Sequence, residues 1–187
     1  MSELSEGELP DPSFFEAPAL PLCRRLLGME LCRRRAKGEV VRLPIIEVEA
    51  YDGFQDRASH AHRGRTARNA AMFDRGGRWY VYLCYGVHWL MNLTAGPEGH
   101  PAAILIRGAG SIQGPGRLTK ALGVDGSFDG KPVTPETGLW LEQQGVVVSA
   151  RSICKTPRVG IDSAGPVWAK KPWRFVWKDA PGVKVKV

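Results

Sequence analysis

The sequence lacks the features that assign many chains to a class at once. Its four cysteines have neither Cys-x-x-Cys nor any other paired spacing, and we expect them to be small buried residues in a reducing compartment. No apolar run approaches the roughly 20 residues that a membrane helix needs. The N-terminus does not have the charged-then-apolar order of a signal peptide. We therefore expect an intracellular protein without a membrane partner, cytoplasmic or nucleoid-associated if it is bacterial.

Acidic residues are few relative to basic ones. The 187 residues include 26 Lys and Arg against 19 Asp and Glu, so the net charge is +7. This charge favours an acidic partner, although merely basic soluble proteins share it. The length predicts one domain with a sizeable core. Residues 1–16 hold five acids and no lysine or arginine, which predicts a flexible acidic tail before a domain over 17–187.

The hydrophobic pattern predicts an α/β protein of the α+β type, a single domain with a curved, mainly antiparallel sheet and a few short helices. Aromatic and β-branched runs predict the strands, and many of the 22 glycines and 14 prolines would occupy the turns. The expected strands cover 29–35, 40–51, 79–84, 88–94, 102–107, two short stretches within 139–148, and 158–161. The expected helices cover 20–27, part of 67–73, and the residues after the glycine-rich loop at 114–116.

The segment 44–93 holds most of the residues that are suited to chemistry. Glu47 and Glu49 lie two apart on a predicted strand, so they point to the same face, which Tyr51 shares. Either both carboxylates pair with arginines, or one is a general base that deprotonates water. The loop after this strand contains two histidines and six arginines: Arg57, Arg63, Arg65, Arg68, Arg75 and Arg78. Carboxylates, aromatic rings and cations in one short span suggest chemistry on a nucleobase in DNA or RNA.

A metal site is the alternative reading of the histidines in this loop. His60 and His62 have a spacing that can chelate a metal ion, and Asp56 could add a ligand. The sequence supplies no clear third ligand. We therefore predict that the histidines are hydrogen-bonded or face a substrate, and that the protein uses neither a metal ion nor a cofactor.

The next two strands place aromatic and amide side chains around a tight turn. Tyr80 and Tyr82 share one strand face, as core or sheet-surface tyrosines do. Tyr85 falls at the hairpin tip, where a large aromatic is hard to explain as core, so we predict a wedge that inserts into a base stack. Asn92 on the return strand either reads a base edge or bonds to the backbone as an ordinary sheet residue.

A glycine-rich loop near residue 115 suggests phosphate binding. Gly114-Pro-Gly-Arg117 precedes a predicted helix, where backbone N–H groups and cations can meet an anion. The spacing is not that of a Walker loop. Together with the arginine-rich loop, this signal assigns phosphate contacts to Arg65, Arg68, Arg117 and Lys120.

Taken together, these motifs resemble the alkyladenine (3-methyladenine) DNA glycosylase family. The matching pieces occur in the family's order over residues 20–161. They are RLLG at 25–28, EVEAY at 47–51, DRASH at 56–60, RGRT at 63–66, RN at 68–69, MF at 72–73, YVY at 80–82, YG at 85–86, MN at 91–92, ILIR at 104–107, GPGRL at 114–118 and PRVG at 157–160. The pattern Glu-x-Glu-Ala-Tyr followed by Tyr-x-Tyr-x-x-Tyr-Gly is highly specific.

The resemblance implies a monofunctional DNA glycosylase that initiates base excision repair. Such an enzyme flips an alkylated or deaminated purine out of damaged double-stranded DNA and hydrolyses the N-glycosidic bond with an activated water. A monomer is expected. Two rival functions remain open at this point. One is a metal-dependent nuclease that uses Glu47, Glu49 and His60, and the other is a non-catalytic reader of damaged nucleic acid that binds through Tyr85 and the arginines.

The resemblance also implies a role for individual residues. Glu49 would activate the water, and Arg107 would contribute to the geometry of the catalytic site. Asn92 would oppose the exocyclic amine of guanine, and Tyr85 would fill the hole left in the duplex. The walls that stack the flipped base would be Tyr51, His60 and Tyr82.

The chain departs from the family pattern at two places. Only residues 108–113 stand where the family usually has a long, partly helical insertion, so phosphate contacts from that insertion cannot be assumed. Val48 stands where the family prefers threonine, which we expect to matter little.

Overall fold

A computed structural model describes residues 7–183 of the chain. Over these residues it confirms the predicted α+β class, because a nine-stranded, mostly antiparallel and unclosed sheet is combined with three short α-helices, the first two of which pack on the sheet. The helices are α1 (Ala19–Leu26), α2 (Pro115–Leu122) and α3 (Pro166–Ala169). The strands are β1 (Glu30–Arg34), β2 (Val40–Asp52), β3 (Trp79–Cys84), β4 (His88–Thr94), β5 (Ala102–Ala109), β6 (Ile112–Gln113), β7 (Leu139–Glu142), β8 (Ile153–Thr156) and β9 (Arg174–Trp177). Within residues 7–183, no helix has the length and apolar character needed to cross a membrane.

Strand β2 organises the sheet. The strand order is β3-β4-β5-β2-β1-β7, with β9 also paired to β2, β8 to β9 and β6 to β5. The first half of β2 pairs with β1, and the second half runs between β5 and β9. The register against β5 shifts on both sides of Glu47, which marks a bulge. Bulges re-aim side chains and are common beside functional sites.

The core lies between α1 and the sheet. The apolar face of α1 contributes Leu22, Cys23 and Leu26, all fully buried, and the sheet contributes Trp79 and Ile104. The Trp79 indole N–H donates to the Leu139 carbonyl at 2.9 Å, so this fully buried side chain also has its polar atom satisfied. All four cysteines are free thiols. Two of them are buried as expected and two are half-buried.

The N-terminal segment packs on the domain from residue 7 onward. Glu8 forms an isolated β-bridge with Gln143, and Asp11 caps a 3-10 helix over Pro12–Glu16. Phe14 and Phe15 of that helix are buried in the core. The prediction of a flexible tail over 1–16 rested on the acidic composition and did not anticipate this packing, in which two phenylalanines are buried. Residues 1–6 of that segment lie outside the described residues.

The late part of the chain differs from the predictions. Only β7 forms within 139–148, where Gly145 has a left-handed φ of 70° and Val147 is 91% exposed without a neighbouring strand. Residues 158–161 do not form the expected strand and run instead as an irregular segment with Gly160 at φ 74°. Strands β8 and β9 were not predicted. Each is four residues long, and β9 is held in the sheet by its pairing with β2 and β8. The expected helical turns within 67–73 form a 3-10 helix over Ala70–Phe73.

Candidate active site

A cavity of about 500 Å³ lies where the second half of β2 meets the β3–β4 hairpin. This volume is within the usual range of small-molecule sites. The predicted site residues that line it are Tyr51, His60, Tyr82, Asn92 and Arg107, with Arg68 and Tyr85 at the same cavity. The structure therefore brings together residues that lie up to 56 positions apart in the sequence, and the shared sheet accounts for most of this convergence.

Glu49 lies behind the cavity wall and is fully buried. Its Oε1 accepts the backbone N–H of Val159 at 2.8 Å and lies 3.4 Å from Nε of Arg107, and its Oε2 accepts the Tyr51 hydroxyl at 3.0 Å. Burial raises the pKa of Glu49 above that of an ordinary glutamate, although Arg107, the Val159 amide and the Tyr51 hydroxyl lower it. The result is a carboxylate that is more basic than a solvated one and is held in one orientation, as a general base requires.

Glu47 has a different environment from Glu49, two residues away. Its Oε1 accepts Nε of Arg107 at 2.8 Å and Nε of Arg174 at 2.7 Å. The Arg107 guanidinium therefore lies between the two glutamates and contacts both. Arginine pairing describes the contacts of Glu47. Glu49 is fully buried behind the cavity wall and has a raised pKa, which makes it a candidate for the general base.

Aromatic side chains form one wall of the cavity. The His60 ring packs edge-on against Tyr82, with centroids 4.6 Å apart, and Tyr80 lies 5.2 Å from Tyr82. Nδ1 of His60 is 2.8 Å from the Tyr80 hydroxyl. Partial burial and then the nearby Arg68 charge lower the pKa of His60 below 6.5, so the imidazole is neutral at pH 7. Burial raises the pKa of both Tyr51 and Tyr82, so the wall is uncharged.

Tyr85 projects from the hairpin tip and is 93% exposed, as predicted for a residue outside the core. The turn is closed by the Val87 N–H to the Cys84 carbonyl at 3.1 Å. Both central residues have positive φ, 49° at Tyr85 and 69° at Gly86, as a type I′ hairpin turn requires. Among residues 7–183, Tyr85 is the only non-glycine with positive φ, a conformation that costs on the order of 1–3 kcal/mol and is often found at functional sites.

Asn92 fits both of the readings that the sequence left open. It is 3% exposed, it lines the cavity, and its Nδ2 donates to the Tyr80 carbonyl at 3.0 Å. The backbone bond fixes the orientation of the amide, so the side chain is a rigid part of the cavity surface.

The four predicted phosphate-binding residues lie on the surface at different distances from the cavity. Arg68 is at the cavity, where its guanidinium lies 5.3 Å from the Tyr82 ring centre and donates to the Leu83 carbonyl. Arg65 lies over Phe73. Arg117 and Lys120 are exposed on α2, whose first turn packs against β4. A Cβ built on Gly116 would lie 3.0 Å from the His88 side chain, so glycine permits this close approach.

Asp56 pairs with an arginine, a partner that sequence reasoning missed. Its carboxylate makes a fully buried, bidentate ion pair with Arg158, at 2.6 and 2.8 Å. His62 bonds instead to the Phe54 carbonyl at 2.7 Å. Over residues 7–183, no group of three or more His, Cys, Asp or Glu side chains is arranged to hold a metal ion. The PRVG motif was the only sequence signal for Arg158, and nothing local connects it to residue 56.

Comparison with known proteins relates the chain to one family. The profile of the family described as methylpurine-DNA glycosylase matches residues 13–113 and 109–181. A Psychrobacter cryohalolentis protein named after 3-methyladenine DNA glycosylase is 38% identical over 94% of both chains. A Streptomyces avermitilis protein named in the same way is 40% identical over 89% of this chain and 85% of its own. The human DNA-3-methyladenine glycosylase is 34% identical over 92% of this chain and 66% of the human one.

Proposed function

The chain belongs to the methylpurine-DNA glycosylase family, and we propose that it is a DNA glycosylase of base excision repair that hydrolyses the N-glycosidic bond of alkylated or deaminated purines. The observation that carries the proposal is the position of Glu49 and Arg107 against a cavity with aromatic walls. The cavity binds the flipped base, and the carboxylate acts at the sugar to which that base is attached.

The reaction uses the ionised form of Glu49. A base within a duplex hides its glycosidic bond, so the nucleotide must first rotate out of the helix. Glu49 then accepts a proton from the attacking water and stabilises the positive charge that develops on the sugar, as carboxylates do in glycoside hydrolysis. Arg107 keeps the carboxylate oriented from 3.4 Å.

The aromatic walls bind the flipped base. Alkylation at N3 or N7 gives a purine a positive charge, which favours stacking against electron-rich rings and weakens the bond to the sugar. Tyr51 and Tyr82 provide such rings, and a neutral His60 adds no repulsion towards a cationic base. Asn92 provides a rigid amide against which the 2-amino group of guanine would clash.

The β3–β4 hairpin is the element that contacts the duplex. Tyr85 at its tip fills the space that the flipped base leaves, and its strained backbone holds the ring away from the protein. Arg65, Arg68, Arg117 and Lys120 bind the flanking phosphates. One chain carries the hairpin, the cavity and these cations, so we propose that the enzyme acts on double-stranded DNA as a monomer. As a DNA repair enzyme it would act inside the cell.

The product is an abasic site. Among the described residues that line the cavity there is no lysine, so the chain presents water, and not an amine, as the nucleophile. This assigns a monofunctional activity, in which the DNA strand stays intact until alkali or a second enzyme cleaves it.

The test is incubation with duplexes that contain 3-methyladenine, 7-methylguanine, hypoxanthine or ethenoadenine, assayed for the released base. We expect release from at least one duplex, turnover of excess substrate, full activity in excess chelator, and strand breaks only after alkali. Loss of activity in chelator would support the nuclease instead. Binding without turnover would support a non-catalytic reader.

A further inference from the structure

The ion pair of Arg158 with Asp56 lies next to the cavity, but the reaction described above makes no use of it. Both side chains are 0% exposed, and the two hydrogen bonds are 2.6 and 2.8 Å long. Taking two charges out of water is costly, so stability alone is a weak reason for such a pair. A bidentate guanidinium–carboxylate contact does, however, fix the relative position of the two segments that carry it.

Asp56 connects the pair to the loop that carries His60. Its Oδ1 accepts the Ala58 N–H at 3.1 Å, two residues before His60. Its Oδ2 accepts the Asp52 N–H at 3.2 Å, at the end of β2. The carboxylate therefore holds the start of this loop on the strand that carries Glu49.

Arg158 connects the pair to β2 and to the segment that covers Glu49. It donates to the Ala50 carbonyl at 2.8 Å, and its guanidinium carbon lies 4.6 Å from the centre of the Tyr51 ring. The next residue along the chain, Val159, donates its N–H to Glu49. Anchoring Arg158 thus determines where this amide lies.

We propose that Arg158 is a positioning residue, which through its ion pair with Asp56 holds the Val159 amide against the Glu49 carboxylate. The proposal rests on the proposed function, since it gives Glu49 the role of the base. It differs from a purely structural role in one respect. Loosening the pair changes the environment of a particular carboxylate and not only the stability of the fold.

The Val159 amide affects Glu49 because a hydrogen bond to a carboxylate favours its charged form. Burial and the Glu47 charge raise the pKa of Glu49, and the amide is one of the few groups that oppose them. The other charged or titratable groups around Glu49 are Arg107, Tyr51 and Tyr82 on the cavity side, Cys23 on α1 and Arg174 across the strand pair. A looser amide therefore moves the pKa of Glu49 further upward, so the carboxylate becomes protonated at a higher pH.

The variant Arg158→Lys keeps the positive charge and loses the bidentate contact. We expect its single-turnover rate of base release to fall by roughly tenfold or more, since small displacements in an active site are costly, and the acid limb of its pH profile to move to higher pH. The matched control is Arg42→Lys, which weakens the 2.9 Å pair with Glu142 on the β1–β7 side of the sheet. Both variants lose stability, but the control keeps the wild-type rate and acid limb.

A folded Arg158→Lys variant with the wild-type rate and acid limb overturns the proposal. If that variant does not fold, Asp56→Asn weakens the same ion pair from the other side. A wild-type rate and acid limb in Asp56→Asn would then overturn the proposal in the same way. The pKa of the Glu49 carboxyl can also be measured by NMR on protein with 13C-labelled glutamate, with Glu49→Gln to assign the signal. This measurement needs no base release. If the wild type acts on none of the duplexes, the proposed function fails, whereas an unchanged Glu49 pKa in the variant is the result that contradicts the role of Arg158.

Discussion

Replacing Glu49 with glutamine removes the proposed general base with little change in shape. The amide oxygen can still accept the Val159 N–H, and the amide NH2 can donate to the Tyr51 hydroxyl, which reverses that hydrogen bond, so the main losses are charge and basicity. Loss of a general base costs about 10²–10⁴-fold in rate. We expect a loss near the upper end of this range, because Glu47 is bonded to Arg107 and Arg174 and cannot take over.

The assay is single-turnover release of hypoxanthine from a duplex with enzyme in excess, beside lesion binding measured by fluorescence anisotropy. We expect Glu49→Gln to bind the lesion duplex like the wild type and to release almost no base. Glu47→Gln is the matched control, and its effect on the rate should be smaller because Glu47 acts only by pairing with arginines. Excision by Glu49→Gln at close to the wild-type rate would refute the assignment of the base.

The same substitution has an expected effect on stability. Burial raises the pKa of Glu49 in the folded protein above its unfolded value, so the ionised carboxylate destabilises the fold at neutral pH. This cost is complete above the raised pKa and disappears as the pH falls through it. The Tm of Glu49→Gln should therefore exceed that of the wild type at pH 7, and the difference should shrink in acid. A lower Tm at pH 7 would mean that the contact with Arg107 outweighs desolvation.

Four further outcomes follow from the site. In the pH–rate profile of the wild type, the midpoint of the acid limb should lie above pH 4.5, the ordinary pKa of a glutamate. A midpoint below 4.5 would contradict the raised pKa of Glu49. Tyr85→Ala should weaken lesion binding by about 1–3 kcal/mol and slow excision of well-stacked lesions most, and unchanged 2-aminopurine fluorescence on flipping would argue against the wedge. Binding to undamaged duplex should fall with salt, at a slope of about −0.9 in log K against log salt for each phosphate bound, and a slope near zero would exclude phosphate contacts by Arg117 and Lys120. Asn92→Ser should lower the ratio of hypoxanthine to mismatched-guanine excision, and a constant ratio would leave Asn92 as a sheet residue only.

The strands that could be predicted are those in which the local sequence pattern favours the same structure as the tertiary pairing. Strands β3 and β4 begin and end at the predicted residues, because aromatic and β-branched runs flank a turn with positive φ. After β7 the local sequence pattern and the tertiary pairing no longer agree. Strands β8 and β9 are four residues long, and β9 is held in the sheet by pairing with β2, which precedes it by more than 120 positions. A window along the sequence contains no information on that partner.

The same limit explains which parts of the site could be predicted. Glu49 and Tyr51 could be placed on one face because a strand alternates with a period of two, and that rule needs only neighbouring residues. What makes Glu49 chemically different from Glu47 is set by distant residues. The Val159 amide lies 110 positions away, and the partner of Asp56 lies 102 positions away. A sequence pattern can therefore indicate which carboxylates are candidates for the base, but the choice between them depends on burial and on hydrogen bonds that only the folded chain creates.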